Sequence, residues 1–205
     1  KRRNDFVGQA NNVLCYFSKL SSYVKYRLFQ SYCMSLYGSE LWLLSNDQIN
    51  NLCVSWHKTM RIIWGLPLNS HCYLLPLLSQ CLPLFDELCR RSLNFIKVCI
   101  CNVSSLVRAV TNYGIQYGRY NSLLGHNMLF CAQLYDCSVQ DIISGSVNRI
   151  VNNYTFNLVE DRQLQTASLV RELLLIRENA LDLSNNIIFS RLELDQLVEA
   201  VSTTC

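Results

Sequence analysis

Apolar residues recur at helical spacing along this chain, most clearly between Ile49 and Trp64. There the apolar side chains stand three, four and seven positions apart, which predicts an amphipathic helix. The stripe consists of Ile49, Leu52, Cys53, Trp56, Met60, Ile63 and Trp64. Gly65 follows it and is typical of a residue that ends a helix in the left-handed conformation. Ser45 and Gln48 stand at the spacing of a capping box, so we expect the helix to begin there.

Two further helices are predicted before this one. The first spans residues 5–18, with Phe6, Ala10, Val13, Leu14 and Phe17 at helical spacing. The second is capped by Ser21 or Ser22 and is interrupted near Gly38. Its apolar side is expected to consist of Val24, Leu28, Tyr32 and Leu36. The three helices together predict a compact bundle over residues 1–66.

A proline-containing connector, residues 67–84, follows the bundle. It holds all three prolines of the chain, Pro67, Pro76 and Pro83, and proline interrupts regular helices. The other residues of the connector are mostly apolar. We therefore expect it to pack along the bundle rather than to act as a flexible linker.

Further helices are predicted after the connector, in a connection region over residues 85–145 and a tail over residues 146–205. Acid-first pairs four positions apart predict two salt bridges, Asp86 with Arg90 and Glu87 with Arg91. The expected helices are at residues 84–101, 104–111, 126–135, 163–179 and 195–202, and residues 149–158 are ambiguous between helix and strand. The predicted fold class is therefore all-α.

Positive charge is concentrated early in the chain. Residues 1–119 contain 13 Lys or Arg and five Asp or Glu, whereas residues 120–205 contain five and ten. This imbalance indicates a polyanionic partner, with an ordinary solvated surface as the alternative. On the third predicted helix, His57, Lys58 and Arg61 are expected to face away from the apolar stripe and to reach phosphates. The candidate nucleic-acid-binding residues are Arg2, Arg3, Lys19, Lys25, Arg27, His57, Lys58 and Arg61.

Catalytic and metal-binding motifs are missing from the sequence. None of the 11 cysteines forms a C-x-x-C pair, and Cys53 with His57 lacks the second half-site of a zinc centre. Glu160 and Asp161 have no partner carboxylate placed for two-metal chemistry. There is no nucleophile elbow and no phosphate-binding loop. We therefore predict no catalytic residue, no metal site and no cofactor in this chain.

The start of the chain and its cysteines predict the cellular setting. Residues 1–5 are basic, but the apolar segment of a secretory signal does not come after them, and unpaired cysteines are typical of reducing compartments. No apolar run approaches the ~18 residues of a membrane span. We expect an intracellular protein without a membrane partner. Because the sequence does not start with Met, we also expect it to be the end of a longer protein.

Three segments carry a family resemblance. The first reads Leu28-Phe29-x-Ser31-Tyr32-Cys33-x-Ser35-Leu36-Tyr37-Gly38-x2-Leu41-Trp42. The second reads Trp56-x-Lys58-x2-Arg61-x2-Trp64-Gly65-Leu66-Pro67-x-Asn69-x-His71-Cys72. The third, near the end, reads Val170-Arg171-Glu172-Leu173-Leu174-x-Ile176-Arg177. The first two resemble the region after the palm in reverse transcriptases of LINE-type non-LTR retrotransposons, and the third resembles the tail of such reading frames.

This resemblance implies a non-catalytic role. Residues 1–66 would correspond to the thumb, the helical element that packs against template and primer, and the residues after Pro67 to the connection and tail. The catalytic aspartates and their Mg²⁺ ions would belong to a palm outside this chain. The implied partners are an RNA/DNA template–primer and the upstream palm and fingers. The alternative is a domesticated helical protein-interaction module without a nucleic-acid role.

Overall fold

The computed structural model describes residues 2–72, 74–117 and 121–163, and all regular structure in these residues is helical. The helices are α1 (Arg2–Tyr16), α2 (Ser22–Cys33), α3 (Asp47–Trp64), α4 (Leu74–Ser79), α5 (Leu84–Ile100), α6 (Ser105–Gln116), α7 (Leu123–Leu134), α8 (Val139–Ser144) and α9 (Val147–Gln163). A short 3-10 helix, Ser39–Leu41, lies between α2 and α3. The predicted all-α fold class is confirmed. The ambiguous residues 149–158 belong to α9.

Two compact units, each discontinuous in sequence, make up the chain. Unit 1 comprises Lys1–Ser35, Val54–Pro83 and the chain from Phe156 onwards. Unit 2 comprises Leu36–Cys53 and Leu84–Thr155. Helix α3 therefore contributes its first residues to unit 2 and the rest to unit 1. Apart from Gln163, the helices expected at residues 163–179 and 195–202 lie outside the described residues.

Aromatic residues dominate the core of unit 1. The rings of Phe6 on α1 and Phe29 on α2 meet edge to face with centroids 5.8 Å apart. Tyr26 lies against Trp64 of α3 at 5.7 Å. The buried apolar residues of this unit include Phe6, Ala10, Val13, Tyr26, Phe29, Cys33, Trp56, Met60, Ile63, Trp64 and Leu75. The stripe predicted on α3 is confirmed as buried, except that Cys53 is half-buried.

The apolar side predicted for α2 is wrong. Val24 is 40% exposed and Tyr32 is 62% exposed, whereas Tyr26, Phe29 and Cys33 are buried. Both sides of α2 carry apolar residues, so periodicity along this one helix does not distinguish them. The ring of Phe6 on α1 packs on Phe29 and not on the Val24–Tyr32 side.

Two of the predicted helix ends are confirmed. The Ser21 hydroxyl accepts a hydrogen bond from the backbone N–H of Val24 at 3.5 Å, so Ser21 is the N-cap of α2. Gly65 ends α3 with φ at +65°, and the N–H of Leu66 reaches back to the carbonyl of Arg61 at 2.8 Å. This backbone pattern is a Schellman motif.

The capping box predicted at the start of α3 is wrong. The N–H of Gln48 donates to the side-chain oxygen of Asn46 at 2.8 Å, so an asparagine satisfies the first turn. The Ser45 hydroxyl lies 2.9 Å from Nε2 of His126 instead. Asn caps a helix about as well as Ser, so the adjacent asparagine replaces the predicted serine.

The connector packs within unit 1, as predicted. Its residues form the short helix α4, in which Leu75 is fully buried. The hydroxyl of Ser79 accepts a hydrogen bond from the indole Nε1–H of Trp64 at 3.0 Å. A buried indole N–H requires a hydrogen-bond acceptor, and the connector supplies it through Ser79.

Helix α5 organises unit 2 by packing against α6, α7 and the 3-10 helix. One of its predicted salt bridges is wrong. Arg90 and Arg91 both pair with Glu87, each at 2.7 Å, while Asp86 is buried and accepts a hydrogen bond from the hydroxyl of Tyr135 at 3.0 Å. Asp86 is buried with Cys89 and Leu93 and takes its hydrogen bond from Tyr135, whereas the guanidinium of Arg90 donates to Glu87 and Asn148.

Candidate nucleic-acid interface

Positive charge is concentrated in two of the three stretches that make up unit 1. The stretches 1–35 and 54–83 of unit 1 contain eight Lys or Arg and one acidic residue, Asp5. The two stretches of unit 2 contain six of each sign. All eight candidate residues for nucleic-acid binding belong to unit 1. An excess of this size raises the local concentration of a polyanion.

Four of the candidate cations are exposed: Arg3, Lys19, Arg27 and Lys58. The Arg3 Nε–H donates to the Ser55 hydroxyl at 3.0 Å, which holds the guanidinium of this side chain against α3. Lys25 is half-buried. For Arg2 the structure describes the backbone only, which begins α1.

The candidate cations do not form one stripe. Lys25 and Arg27 stand two positions apart on α2 and therefore lie on different sides of that helix. On α3, Lys58 is exposed between Val54 and Ile62, which are 50% and 57% exposed. Positive charge is thus distributed around unit 1, which suits contacts with a phosphate backbone better than recognition of one compact anion.

Arg61 does not belong to the open surface, and the expectation that it reaches phosphates is wrong. The residue is 9% exposed. Its Nε and Nη2 donate to the carbonyl oxygen of Ser70 at 3.1 and 2.6 Å, and Nη2 also lies 3.1 Å from the sulfur of Cys72. After α3 ends at Gly65, the connector runs alongside the Arg61 guanidinium and supplies the acceptors for its N–H groups.

His57 supplies no positive charge at neutral pH. Burial, together with the nearby Arg61 guanidinium, lowers the pKa of His57 to about 4. Its ring lies 5.3 Å from that of Trp56, at an angle of 69°. His57 can therefore offer a ligand only the hydrogen bonds of a neutral imidazole. The charge-based reason for including it among the phosphate-binding residues is wrong.

A groove on unit 1 was not predicted from the sequence. It has a volume of about 230 Å³ and is lined by Gln9, Asn12, Val13, Tyr16, Phe17 and Tyr32. Tyr16 is 81% exposed and Tyr32 is 62% exposed. Tyr16 stands outside the apolar stripe of its helix, and this position is the one feature of the sequence that could have indicated the groove. The spacing along α2 assigns Tyr32 to the apolar side that is expected to be buried. For this reason the sequence does not indicate that Tyr32 lines the groove.

Two cysteine thiols of unit 2 are held in their protonated form at neutral pH by their surroundings. Burial raises the pKa of Cys53 to about 12, and the pKa of Cys131 is raised as well, first by its hydrogen bond with Cys89. Protonated thiols are poor nucleophiles and poor metal ligands. Within the described ranges, no three His, Cys, Asp or Glu side chains are grouped to hold a metal ion. The side chains of Glu160 and Asp161 are not among those that the structure describes.

Among the described helices, none has both the length and the apolar character needed to cross a bilayer. Comparison with protein-family models, with curated proteins and with solved structures finds no match to this chain.

Proposed function

We propose that this chain is the non-catalytic C-terminal portion of a non-LTR retrotransposon RNA-directed DNA polymerase, in which unit 1 holds the template–primer for a palm outside the chain. The observation that carries the proposal is the charge of two stretches of unit 1, residues 1–35 and 54–83, which contain eight Lys or Arg and one acidic residue. Of the segments that resemble the family, residues 28–35 and 56–72 lie in the same unit.

The physical task in this proposal is positioning. A duplex held in register brings the primer end to the metal site, and holding reactants in place makes a bimolecular step effectively unimolecular. Lys58 and Arg27 are exposed and can neutralise phosphates, whereas Arg61 maintains the fold. Contacts to phosphate carry no sequence information, so binding is sequence-tolerant.

The test measures binding of the 205-residue chain to an RNA–DNA hybrid. Fluorescence anisotropy at several salt concentrations gives the binding constant. Removing one phosphate contact flattens the slope of log K against log salt by about 0.9 for duplex DNA, with a similar change expected for a hybrid. Arg27→Glu with Lys58→Glu should weaken binding and flatten the slope. Arg108→Glu with Arg149→Glu is the matched control, because both arginines are exposed in unit 2 and the change in net charge is the same.

Equal losses for the unit 1 and unit 2 reversals would contradict the proposal, since they would reflect net charge alone. A second assay joins the chain to an upstream palm and measures primer extension. There the unit 1 reversal should shorten the products and make synthesis more sensitive to salt. Unchanged processivity would leave Arg27 and Lys58 as ordinary solvated side chains.

A protein-interaction module is the second candidate function, and the surface of α6 favours it. Apolar side chains stand exposed three or four positions apart along this helix and just before it, and the rings of Tyr113 and Tyr117 lie 5.4 Å apart. They are Val103, Leu106, Val110, Tyr113 and Tyr117, each more than 60% exposed. This candidate predicts no hybrid binding at moderate salt and no effect of the unit 1 reversal.

A further inference from the structure

The groove on unit 1 brings two kinds of side chain together. Gln9, Asn12 and Tyr16 stand three and four positions apart, on one face of α1. Tyr32 of α2 contributes a second phenol ring to the same groove. Both tyrosines are mostly exposed, so their ring faces are open to a ligand. Aromatic rings that remain in water within a folded unit are candidates for binding.

We propose that this groove binds an unpaired base of single-stranded RNA or DNA. The inference rests on the proposed function, because it assigns the groove to the single-stranded part of the template. Tyr16 and Tyr32 offer the stacking surfaces, and the Gln9 and Asn12 amides face the base edge. Stacking of bases on aromatic side chains is the usual means of binding single strands without sequence preference.

The size of the groove fits a single base. Sites for drug-sized ligands and cofactors typically measure about 300–1,000 Å³. A groove of about 230 Å³ is smaller, and it holds one flat ring system. The amides of Gln9 and Asn12 each donate and accept hydrogen bonds, so they can pair with the edge of any base.

Charge selects a nucleic acid over other flat or apolar ligands. The strand on either side of the bound base carries phosphates, and residues 1–35 and 54–83 of unit 1 contain eight Lys or Arg and one acid, Asp5. Lys19 is exposed and follows Tyr16 by three positions, whereas Asp5, the one acid, lies toward the other end of α1. The strand therefore leaves the groove at its Tyr16 end.

The test compares two probes on the full 205-residue chain: a blunt RNA–DNA hybrid, and the same hybrid with a single-stranded template overhang. Tyr16→Ala and Tyr32→Ala should each weaken binding of the overhang probe by about tenfold, as expected when one stacking ring is removed. Binding of the blunt hybrid should stay unchanged. The salt slope should also stay unchanged, since no phosphate contact is removed.

The matched control is Tyr23→Ala, which removes a partly exposed tyrosine of α2 that does not line the groove. Tyr32→Phe should bind as the unmodified chain does, because it keeps the stacking ring. A 2-aminopurine base in the overhang should be quenched on binding and should recover its fluorescence in Tyr32→Ala. A free mononucleotide should bind more weakly than the overhang, because it lacks flanking phosphates.

The outcomes separate this inference from the proposed function. If Tyr32→Ala leaves the overhang probe bound as before, or weakens both probes equally, the base site is wrong. Binding of the blunt hybrid and its response to the Arg27 and Lys58 reversal would then still support the proposed function. If neither probe binds at any salt concentration, both proposals are overturned.

Discussion

The carbonyl oxygen of Ser70 accepts hydrogen bonds from two nitrogens of one side chain, Nε and Nη2 of Arg61, at 3.1 and 2.6 Å. The two residues are nine positions apart, on either side of the end of α3 at Gly65. Hydrogen bonds from a charged donor are shorter and stronger than those between neutral groups. This pair therefore fastens the connector to α3 within unit 1.

Loss of the hydrogen bonds between Arg61 and Ser70 should destabilise the protein. We expect Arg61→Ala to lower the free energy of unfolding by about 3 kcal/mol, because it removes charge-assisted hydrogen bonds and leaves the Ser70 carbonyl without them. Lys58→Ala, on the exposed side of the same helix, should change it by less than about 0.5 kcal/mol. Chemical denaturation measures both. Similar values for the two variants would show that Arg61 behaves as a surface residue.

Burial of Asp86 makes the stability of unit 2 depend on pH. Burial raises the pKa of Asp86, and the hydrogen bond from Tyr135 lowers it by less. The folded chain therefore binds this proton more tightly than the unfolded chain, whose carboxyl pKa is about 4. The resulting stabilisation is fully present below that pH and is lost as pH rises through the folded-state pKa.

Asp86→Asn should flatten this pH dependence, because the amide keeps an acceptor for Tyr135 and cannot ionise. Tyr135→Phe should act in the opposite direction. It removes the donor to the carboxylate and should cost about 1–3 kcal/mol, with a larger cost near neutral pH than in mild acid. Urea denaturation across that range measures both. Parallel pH profiles for all three proteins would show that Asp86 is solvated.

The side chain of Asn127 joins distant parts of unit 2. It is fully buried, accepts a hydrogen bond from the N–H of Leu44 at 3.1 Å, and donates to the carbonyl of Trp42 and the hydroxyl of Ser92 at 2.8 and 3.1 Å. We expect Asn127→Asp, which has nearly the same shape, to be worse than Asn127→Leu. Asn127→Asp places a carboxylate oxygen next to the Trp42 carbonyl oxygen, which should lower the free energy of unfolding by about 3 kcal/mol or more.

Thermal unfolding of the two Asn127 variants provides the comparison. An equal midpoint for both would mean that only the volume of the side chain matters. A midpoint for Asn127→Asp close to that of the unmodified chain would contradict the donor role of the amide.

The sequence predicted α3 well because its two sides differ strongly in polarity. Trp56 and Met60 repeat on one side only, and Gly65 marks the end. The same reasoning failed for α2, where Val24 and Tyr32 offer an apolar side as plausible as that of Phe29. A tertiary contact, Phe6 on Phe29, favours one of the two. Periodicity within a single helix contains no information about that contact.

The sequence predicted which part of the chain is basic, but not which of its basic side chains are exposed. Counting charges located the basic region, since it depends only on residue type. Whether Arg61 faces water or a carbonyl oxygen depends on the path of the connector after Gly65, which charge does not report. The groove is still less accessible to sequence reasoning, because Tyr16 and Tyr32 come from different helices and only packing brings them together.

Two glycines in unit 1 should respond in opposite ways to the same substitution. Gly65 has φ at +65°, where a Cβ atom is strained even though the space around it is open. We expect Gly65→Ala to lower the free energy of unfolding by about 1–2 kcal/mol. Gly8 lies inside α1, and an added Cβ there meets nothing within 4 Å. Gly8→Ala should raise the free energy of unfolding by about 0.5–1 kcal/mol, because alanine has the higher helix propensity.

Chemical denaturation of both variants, with helicity followed by circular dichroism, measures this difference. Gly65→Asn serves as the control, because asparagine tolerates the left-handed conformation better than alanine and should recover part of the loss. The Schellman end of α3 directs the connector toward Arg61, so Gly65→Ala should also weaken the contact with Ser70. Combined with Arg61→Ala, it should then cost less than the sum of the two single effects. Strict additivity would show that the turn and the arginine contact stabilise unit 1 independently.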